Sequence, residues 1–180
     1  IFLVWRSFCW QGNVMSFLFD SLMITFSSFK VISVSQFRPE KWQRRQIEAF
    51  YIASNKLAPN SQLWICGGVR GEGDKRVLSA LKEVAKSHFT EGRVRFFVNL
   101  PVEELVDKLH KAKVAIHTMV DEHFGISLLE FVAAGLTPIA NNSGGPKEDI
   151  LTDGLGHLAD TTDEYAECIL KAMENYDAEA

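Results

Sequence analysis

From Asp121 to Asp149 the chain reads DEHFGISLLEFVAAGLTPIANNSGGPKED, the stretch with the most informative local pattern. Its succession of polar, apolar and glycine-containing segments predicts a strand end, a loop, a helix, a strand and a turn. Gly125 lies between the loop and the helix, where a residue without a side chain lets the backbone approach a ligand closely. The helix that begins near Ile126 presents free amide groups and the positive end of its dipole to an anion.

Two glutamates, Glu122 and Glu130, flank the start of this helix with seven residues between them. Glu130 lies about one turn into the helix, where its carboxylate can accept hydrogen bonds from a neutral polyol but would repel a phosphate. A helix terminus for a phosphate and a carboxylate for sugar hydroxyls are what a nucleotide-sugar site needs. We therefore predict such a site here.

Short apolar strand-like runs alternate with helical patterns along the rest of the chain. This alternation predicts a doubly wound parallel sheet with helices on both faces, a Rossmann-like α/β domain. The predicted strands are Lys30–Ser35, Leu63–Cys66, Val94–Val98, Val114–Thr118, Thr137–Ala140 and a short Gly156–Leu158. The predicted helices are Arg44–Asn55, Val77–His88, one starting at Asn99 to Pro101, one near Ile126, and one from Thr161 or Thr162 to Tyr176.

Four residues with ligand-binding potential, Arg38, Gly67, Asn99 and Glu122, each follow a predicted strand. The carboxyl ends of parallel strands share one edge of a sheet, and ligands bind at that edge in such folds. We therefore expect these residues to lie along one edge. Pro39 restricts its own backbone and that of the residue before it, so the loop around it is predicted to be extended.

The composition limits the classes of function. The 180 residues are 47% hydrophobic and 23% charged, which is ordinary for one globular domain. The net charge of −4 provides no basic field for a nucleic-acid partner. The three cysteines are widely spaced and match neither a metal site nor a disulfide framework, which favours a reducing compartment.

The segment Ile1–Ser28 is hydrophobic and differs in character from residues 29–180, which form the predicted domain. Charged residues such as Arg6 and Asp20 interrupt it, so that no run reaches the ~20 apolar residues of a membrane-spanning helix. It also lacks the layout of a signal peptide. A buried helix, a membrane-surface segment and sequence foreign to the native protein all stay open for it, and we assign it no function. Because the chain does not begin with Met, we expect the chain to be a piece of a longer protein.

Four blocks of the sequence resemble the donor site of retaining glycosyltransferases with the GT-B fold (family 4). The blocks are QFRPEK (Gln36–Lys41), IHTM (Ile116–Met119), EHFGI (Glu122–Ile126) and NSGGPK (Asn142–Lys147). Their occurrence in this order, joined by βα units, makes the pattern specific. The resemblance implies the C-terminal, donor-binding half of a GT-B enzyme, whose N-terminal acceptor domain is missing from this chain.

Within that family, the blocks resemble those of members that transfer mannose from GDP-mannose to a dolichol-linked oligosaccharide during N-glycan precursor assembly. The resemblance therefore implies GDP-mannose as the nucleotide-sugar donor and a lipid-linked oligosaccharide as the acceptor. It implies a place on the cytosolic face of the endoplasmic reticulum membrane. It implies no cofactor and no divalent metal, because cationic side chains already face the diphosphate.

The resemblance also assigns roles to charged residues. Arg38 and Lys41 would bind the donor diphosphate and stabilise the charge that develops on the leaving group. Glu122 would lie near the transferred sugar and its phosphate, without acting as a nucleophile. Glu130 would accept hydrogen bonds from the ribose hydroxyls.

Backbone contacts are implied around the helix start. The amides of Phe124, Gly125 and Ile126 would bind the diphosphate, and His123 would form a hydrogen bond with the sugar or a phosphate. His117 is explained at least as well by a satisfied histidine at the end of a strand as by a role in binding.

Two more segments have implied or alternative roles. Asn99 lies where the base-contacting loop of the family runs. Gly144 and Gly145 either provide backbone contacts near the sugar or simply make a turn. Ser35 departs from the pattern, because many family members have glycine at that position.

Other hypotheses remain open from the sequence. The same domain could bind a UDP- or ADP-sugar, or the chain could be a non-catalytic nucleotide-binding fragment or degenerate copy. The absence of a G-x-G-x-x-G motif after the first predicted strand argues against an oxidoreductase.

Overall fold

The computed structural model describes residues 29–90, 92–152 and 154–179. The strands are β1 (Lys30–Val34), β2 (Gln62–Gly67), β3 (Val94–Val98), β4 (Val114–Ile116), β5 (Thr137–Asn141) and β6 (His157–Ala159). The α-helices are α1 (Gln43–Ser54), α2 (Glu72–His88), α3 (Val102–Lys111), α4 (Ile126–Ala133) and α5 (Thr162–Glu179). The hydrophobic segment Ile1–Ser28 lies outside the described residues. Within the described ranges, no helix is both long and apolar enough to cross a bilayer.

All six strands form one parallel sheet in the order β3-β2-β1-β4-β5-β6. The chain adds β2 and β3 on one side of β1 and then crosses to the other side to add β4, β5 and β6. The predicted doubly wound α/β fold is therefore confirmed. The order of strands reverses between β1 and β4, and a ligand crevice is expected at their carboxyl ends.

Apolar side chains cover both faces of the sheet. Helices α1, α2 and α5 pack on one face, where Phe50, Leu81 and Tyr165 are buried in the same cluster. Helices α3 and α4 pack on the other face and bury Leu109 and Phe131. The sheet is therefore rigidly held from both sides, and its carboxyl edge is a fixed platform for loops.

Helix α5 begins where the sequence predicts. The Glu164 amide donates to Thr161 Oγ1 at 3.2 Å, and the Thr161 amide donates to Glu164 Oε2 at 3.1 Å. This reciprocal capping box satisfies two of the amides that a helix leaves without partners at its first turn.

Several predicted boundaries are displaced, and two of them matter for the site and its surroundings. Helix α2 begins at Glu72 rather than Val77, inside a stretch predicted to be a loop from its glycines. The Asp74 carboxylate accepts the Arg70 amide at 2.8 Å, which stabilises a start that the glycine content obscured. Strand β4 ends at Ile116 instead of Thr118. The His117 amide still donates to the Ile139 carbonyl of β5, whereas the Thr118 side chain bonds to α1 and to the loop that follows β1.

The loop after β1 is extended only up to the proline: Arg38 has φ of −134° and ψ of 150°, as predicted, but the residues after it turn. Pro39–Lys41 form a single 3-10 turn, for which the fixed φ of proline at the first position is well suited. The Trp42 amide donates to the Pro39 carbonyl at 3.1 Å, and Trp42 itself has a left-handed backbone with φ of 51°. This turn folds Lys41 back toward the end of β4.

Candidate functional site

An ion pair lies at the crevice between the ends of β1 and β4. Lys41 Nζ is 2.9 Å from Glu122 Oε2, although the two residues are 81 positions apart in the chain. Both side chains are largely shielded, with 20% and 18% of their surface exposed. Met119 Sδ lies 3.0 Å from the same Nζ, and His117 Nε2 lies 3.3 Å from the same carboxylate oxygen. The structure thus brings together two of the three predicted catalytic residues.

The local charges set the protonation of this cluster. Burial raises the pKa of the Glu122 carboxyl, but the hydrogen bond and charge of Lys41 outweigh it, and the pKa lies below its ordinary value. Burial lowers the pKa of His117, and the charge of Lys41 lowers it further against the opposing charge of Glu122. At neutral pH, Glu122 is therefore an anion and His117 is neutral. The contact between them lacks the alignment of a full hydrogen bond.

The start of α4 lies beside this ion pair. Gly125 precedes the helix with φ of 88°, a conformation that L-residues with side chains rarely adopt. The first amides of a helix have no partner within it, and they favour an anion. A cavity of about 390 Å³ is lined by Val34, Ser35, Gln36, Lys41, His117, Glu122, His123, Phe124, Gly125, Ile126 and Ser127. A lysine, a helix terminus and a carboxylate therefore border one cavity.

A second cavity of about 440 Å³ continues along the carboxyl edge toward β2 and β3. Ser35 and Gln36 line both cavities and so join them. Asn99 lines the second cavity with φ of 53°, and its Oδ1 accepts the Val69 amide at 2.9 Å. The Asn99 amide also donates to the Gly67 carbonyl at 3.0 Å, so both the side chain and the amide of Asn99 hold the loop after β2.

Arg38 is not brought together with Lys41. Its guanidinium is 3.9 Å from Glu40, and the residue lines a separate depression against α2 with Trp42. The 3-10 turn that directs Lys41 to the crevice separates Arg38 from it. Gln36 borders the crevice instead. It lies two residues after the end of β1, and its sequence pattern predicted no role for it.

Glu130 lies on the exposed surface of α4, one turn after Ile126. It is not among the residues that line either cavity. Its carboxylate has no ion-pair partner within the described part of the chain, and so it is available to a ligand that extends past the helix start.

Gly144 and Gly145 pack against the backbone of the Glu122 loop. The Gly145 amide donates to the Glu122 carbonyl at 2.8 Å. A Cβ at Gly145 would lie 2.8 Å from Phe124 Cα, and one at Gly144, whose φ is 57°, would collide with the Glu122 carbonyl. The Gly145 amide is used inside the protein, which favours the turn-forming alternative for that residue.

Among the described residues, no group of three or more His, Cys, Asp or Glu side chains is arranged to hold a metal ion. His117, Glu122 and His123 all border the cavity, but they are not arranged as a set of metal ligands.

Residues 19–180 match the family described as "Glycosyl transferases group 1". A Caenorhabditis elegans protein named GDP-Man:Man(3)GlcNAc(2)-PP-Dol alpha-1,2-mannosyltransferase is 39% identical over 162 residues, which cover 86% of this chain and 34% of that protein. The human protein of the same name is 40% identical over 147 residues, which cover 77% of this chain and 30% of the relative. The chain thus spans about a third of the length of these curated relatives.

Solved structures share the fold at low sequence identity. The HepE protein of Anabaena, solved in complex with UDP-glucose, gives a TM-score of 0.72 at 21% identity and covers 92% of this chain and 44% of that one. The pneumococcal O-GlcNAc transferase GtfA, solved with UDP and GlcNAc, gives 0.66 at 22% identity and covers 84% of this chain and 31% of that one. These neighbours confirm the GT-B-type fold. The chain therefore belongs to the glycosyl transferases group 1 family.

Proposed function

We propose that this chain is the donor-binding part of a retaining glycosyltransferase that transfers mannose from GDP-mannose to a dolichol-linked oligosaccharide. The observation that carries the proposal is the Lys41–Glu122 pair beside the amino terminus of α4, at the carboxyl edge between β1 and β4. The names of the relatives at about 40% identity support mannose, GDP and the dolichol-linked acceptor.

The proposed chemistry is electrostatic. As the bond between the sugar and the diphosphate breaks, negative charge grows on the leaving phosphate. Lys41 and the first amides of α4 stabilise that charge from a partly enclosed cavity, where such interactions are stronger than in water. The proposal needs no metal, because an ammonium group and a helix terminus already supply the counter-charge. Further cationic groups, if the reaction uses them, would come from the part of the enzyme that this chain does not cover.

Glu122 orients this system rather than attacking the sugar. Its carboxylate is already neutralised by Lys41 at 2.9 Å, and its pKa is low, so it is a weak nucleophile. Holding Lys41 in place until the donor arrives is a role that suits a paired carboxylate. His123, Phe124 and the αL residue Gly125 complete the wall of the cavity next to it.

Arg38 can join the diphosphate only by leaving Glu40. A pair at 3.9 Å with side chains 44% and 49% exposed contributes little, so that the rearrangement costs about 1 kcal/mol or less. We retain Arg38 as a proposed diphosphate ligand of the bound state, and we add Gln36 as a second polar group that already borders the crevice.

Glu130 is proposed to accept hydrogen bonds from the ribose hydroxyls of the donor. Glu130→Ala is expected to weaken GDP binding by about 1–3 kcal/mol, the scale of a charged hydrogen bond lost, without disturbing an exposed helix face. Calorimetric titration with GDP measures the effect, and circular dichroism checks the fold. An unchanged affinity with an unchanged spectrum would exclude the ribose role.

The acceptor side of the reaction is proposed to come from the two thirds of the relatives that this chain does not cover. We propose that the reaction takes place at the membrane of the endoplasmic reticulum, on its cytosolic face. The dolichol-linked acceptor in the names of the relatives supports the membrane association.

The test of the whole proposal is sugar transfer with labelled GDP-mannose and a dolichol-linked oligosaccharide. The chain alone is expected to bind donor and to form no product, because orientation of two reactants supplies up to roughly 7–11 kcal/mol of barrier lowering and half a cleft forfeits most of it. The same chain joined to the acceptor domain of a relative is expected to transfer mannose. Absence of transfer by the joined protein, with GDP binding intact, would contradict the proposal.

A further inference from the structure

A chain of buried polar groups lies directly behind the Lys41–Glu122 pair. Gln46 on α1 donates from Nε2 to Thr118 Oγ1 at 2.9 Å, and Thr118 Oγ1 donates to the Lys41 carbonyl at 2.7 Å. Thr118 is fully buried and Gln46 is 1% exposed. These bonds join α1, the end of β4 and the 3-10 turn. Thr118 is 72 residues from Gln46 and 77 residues from Lys41 in the sequence.

Each residue of the tripeptide His117-Thr118-Met119 contacts Lys41 or Glu122. His117 Nε2 lies 3.3 Å from the Glu122 carboxylate, and Met119 Sδ lies 3.0 Å from Lys41 Nζ. Between them, Thr118 provides the hydrogen bond to the main chain of Lys41. One short segment therefore fixes the backbone of the lysine and lines the pair on two sides.

We propose that Thr118 is a positioning residue, whose buried hydroxyl fixes the backbone of Lys41 so that its ammonium group meets Glu122 and the diphosphate. The proposal rests on the proposed function for its link to the donor, but the positioning of Lys41 against Glu122 is a property of the free protein. Thr118 touches no reacting atom and acts through Lys41.

The backbone of the 3-10 turn explains why the hydroxyl matters. Lys41 is the last residue of that turn, and Trp42 after it has a left-handed backbone that bulky residues rarely adopt. Such a conformation persists only where surrounding contacts hold it. Loss of the Thr118 hydroxyl removes its bond to the Lys41 carbonyl and leaves the buried Gln46 Nε2 without this partner.

The test compares Thr118→Val, which keeps the shape and removes the hydroxyl, with Thr118→Ser, which keeps the hydroxyl. The pKa of the Glu122 carboxyl is followed by carbon-detected NMR titration in the free protein, with Glu122→Gln to assign the signal. We expect the low pKa to persist in Thr118→Ser and to rise to the ordinary value in Thr118→Val. Gln46→Leu, which removes only the bond to Thr118, is expected to give a smaller rise.

Ile169→Val on α5 is the control for stability alone, because it trims a fully buried apolar side chain and removes no polar contact. It is expected to lower the free energy of unfolding while the titration of Glu122 stays as in the wild type. An unchanged Glu122 titration in both Thr118→Val and Gln46→Leu would overturn the positioning role.

The nucleotide arm separates this inference from the proposed function. In Thr118→Val, GDP affinity is expected to fall about tenfold and guanosine affinity to stay the same, because the change acts through the phosphate-binding lysine. Failure of the wild type to bind GDP would refute the proposed function, and the NMR titration would still decide the positioning role. An equal loss of affinity for GDP and for guanosine in Thr118→Val would overturn the positioning role of Thr118.

Discussion

Lys41→Met is expected to lower the affinity for GDP by roughly a hundredfold, about 3 kcal/mol. The substitution would remove the charged hydrogen bond that Lys41 is proposed to form with the diphosphate. It also leaves the Glu122 carboxylate without its partner in a site where only 18% of that side chain is exposed. The remaining anion then repels the phosphates. Calorimetric titration measures the change in affinity. GDP binding by the wild type should weaken with added salt, because the charges that bind the phosphates are screened.

The matched control is Lys75→Met. Lys75 forms an ion pair with Glu72 at 2.6 Å on the surface of α2, with 62% of its side chain exposed. An exposed pair of this kind contributes about 0–1 kcal/mol to stability, and it lies in neither cavity. GDP affinity is expected to remain within twofold of the wild type. Equal losses in the two variants would mean that net charge, rather than the site, governs binding.

Gly145→Ala is expected to lower the free energy of unfolding by about 1–3 kcal/mol and to abolish most GDP binding. The added Cβ would lie 2.5 Å from the His123 carbonyl oxygen and 2.8 Å from Phe124 Cα. Because these are backbone atoms, they cannot rotate aside as a side chain can. Relief of the clash would shift the loop that carries Glu122 and the start of α4, and urea denaturation with GDP titration measures both effects.

Gly73→Ala is the matched control for Gly145→Ala. Gly73 lies in the first turn of α2, and a Cβ there meets no atom within 4 Å. Alanine in a helix loses less conformational entropy on folding than glycine, so this variant is expected to gain about 0.5–1 kcal/mol of stability. We expect Gly145→Ala to lose stability and GDP binding and Gly73→Ala to gain stability. This contrast would attribute the effect to the packing of Gly145 against the loop of Glu122. A Gly145→Ala variant with wild-type stability and GDP affinity would contradict it.

Much of the fold is predictable because its signals are local. The β-branched strands, the capping box at Thr161 and Glu164, and the glycine before α4 each depend on a few neighbouring residues. Local patterns of this kind also predict the parallel sheet. A helix between two strands returns the chain to the end where the first strand began, so that the next strand runs parallel to it. The placement of Glu122 at the carboxyl edge follows from the same reasoning.

The parts that the sequence does not predict depend on contacts distant in the chain. Lys41 reaches Glu122 across 81 residues, and the Thr118 hydroxyl reaches Lys41 across 77. The direction of Arg38 is decided by a 3-10 turn that proline permits without requiring. A pattern of residue types cannot distinguish Arg38 from Gln36 as the neighbour of the crevice, because both follow the same strand.

This chain is proposed to bind the nucleotide of a GDP-sugar at the crevice between β1 and β4. The decisive measurement is calorimetric titration of the chain with GDP, UDP and ADP under one buffer and salt condition. We predict that GDP binds at least about tenfold more tightly than UDP or ADP, and that Lys41→Met removes most of this binding. Tighter binding of UDP or ADP, or no binding of GDP by a folded chain, would contradict it.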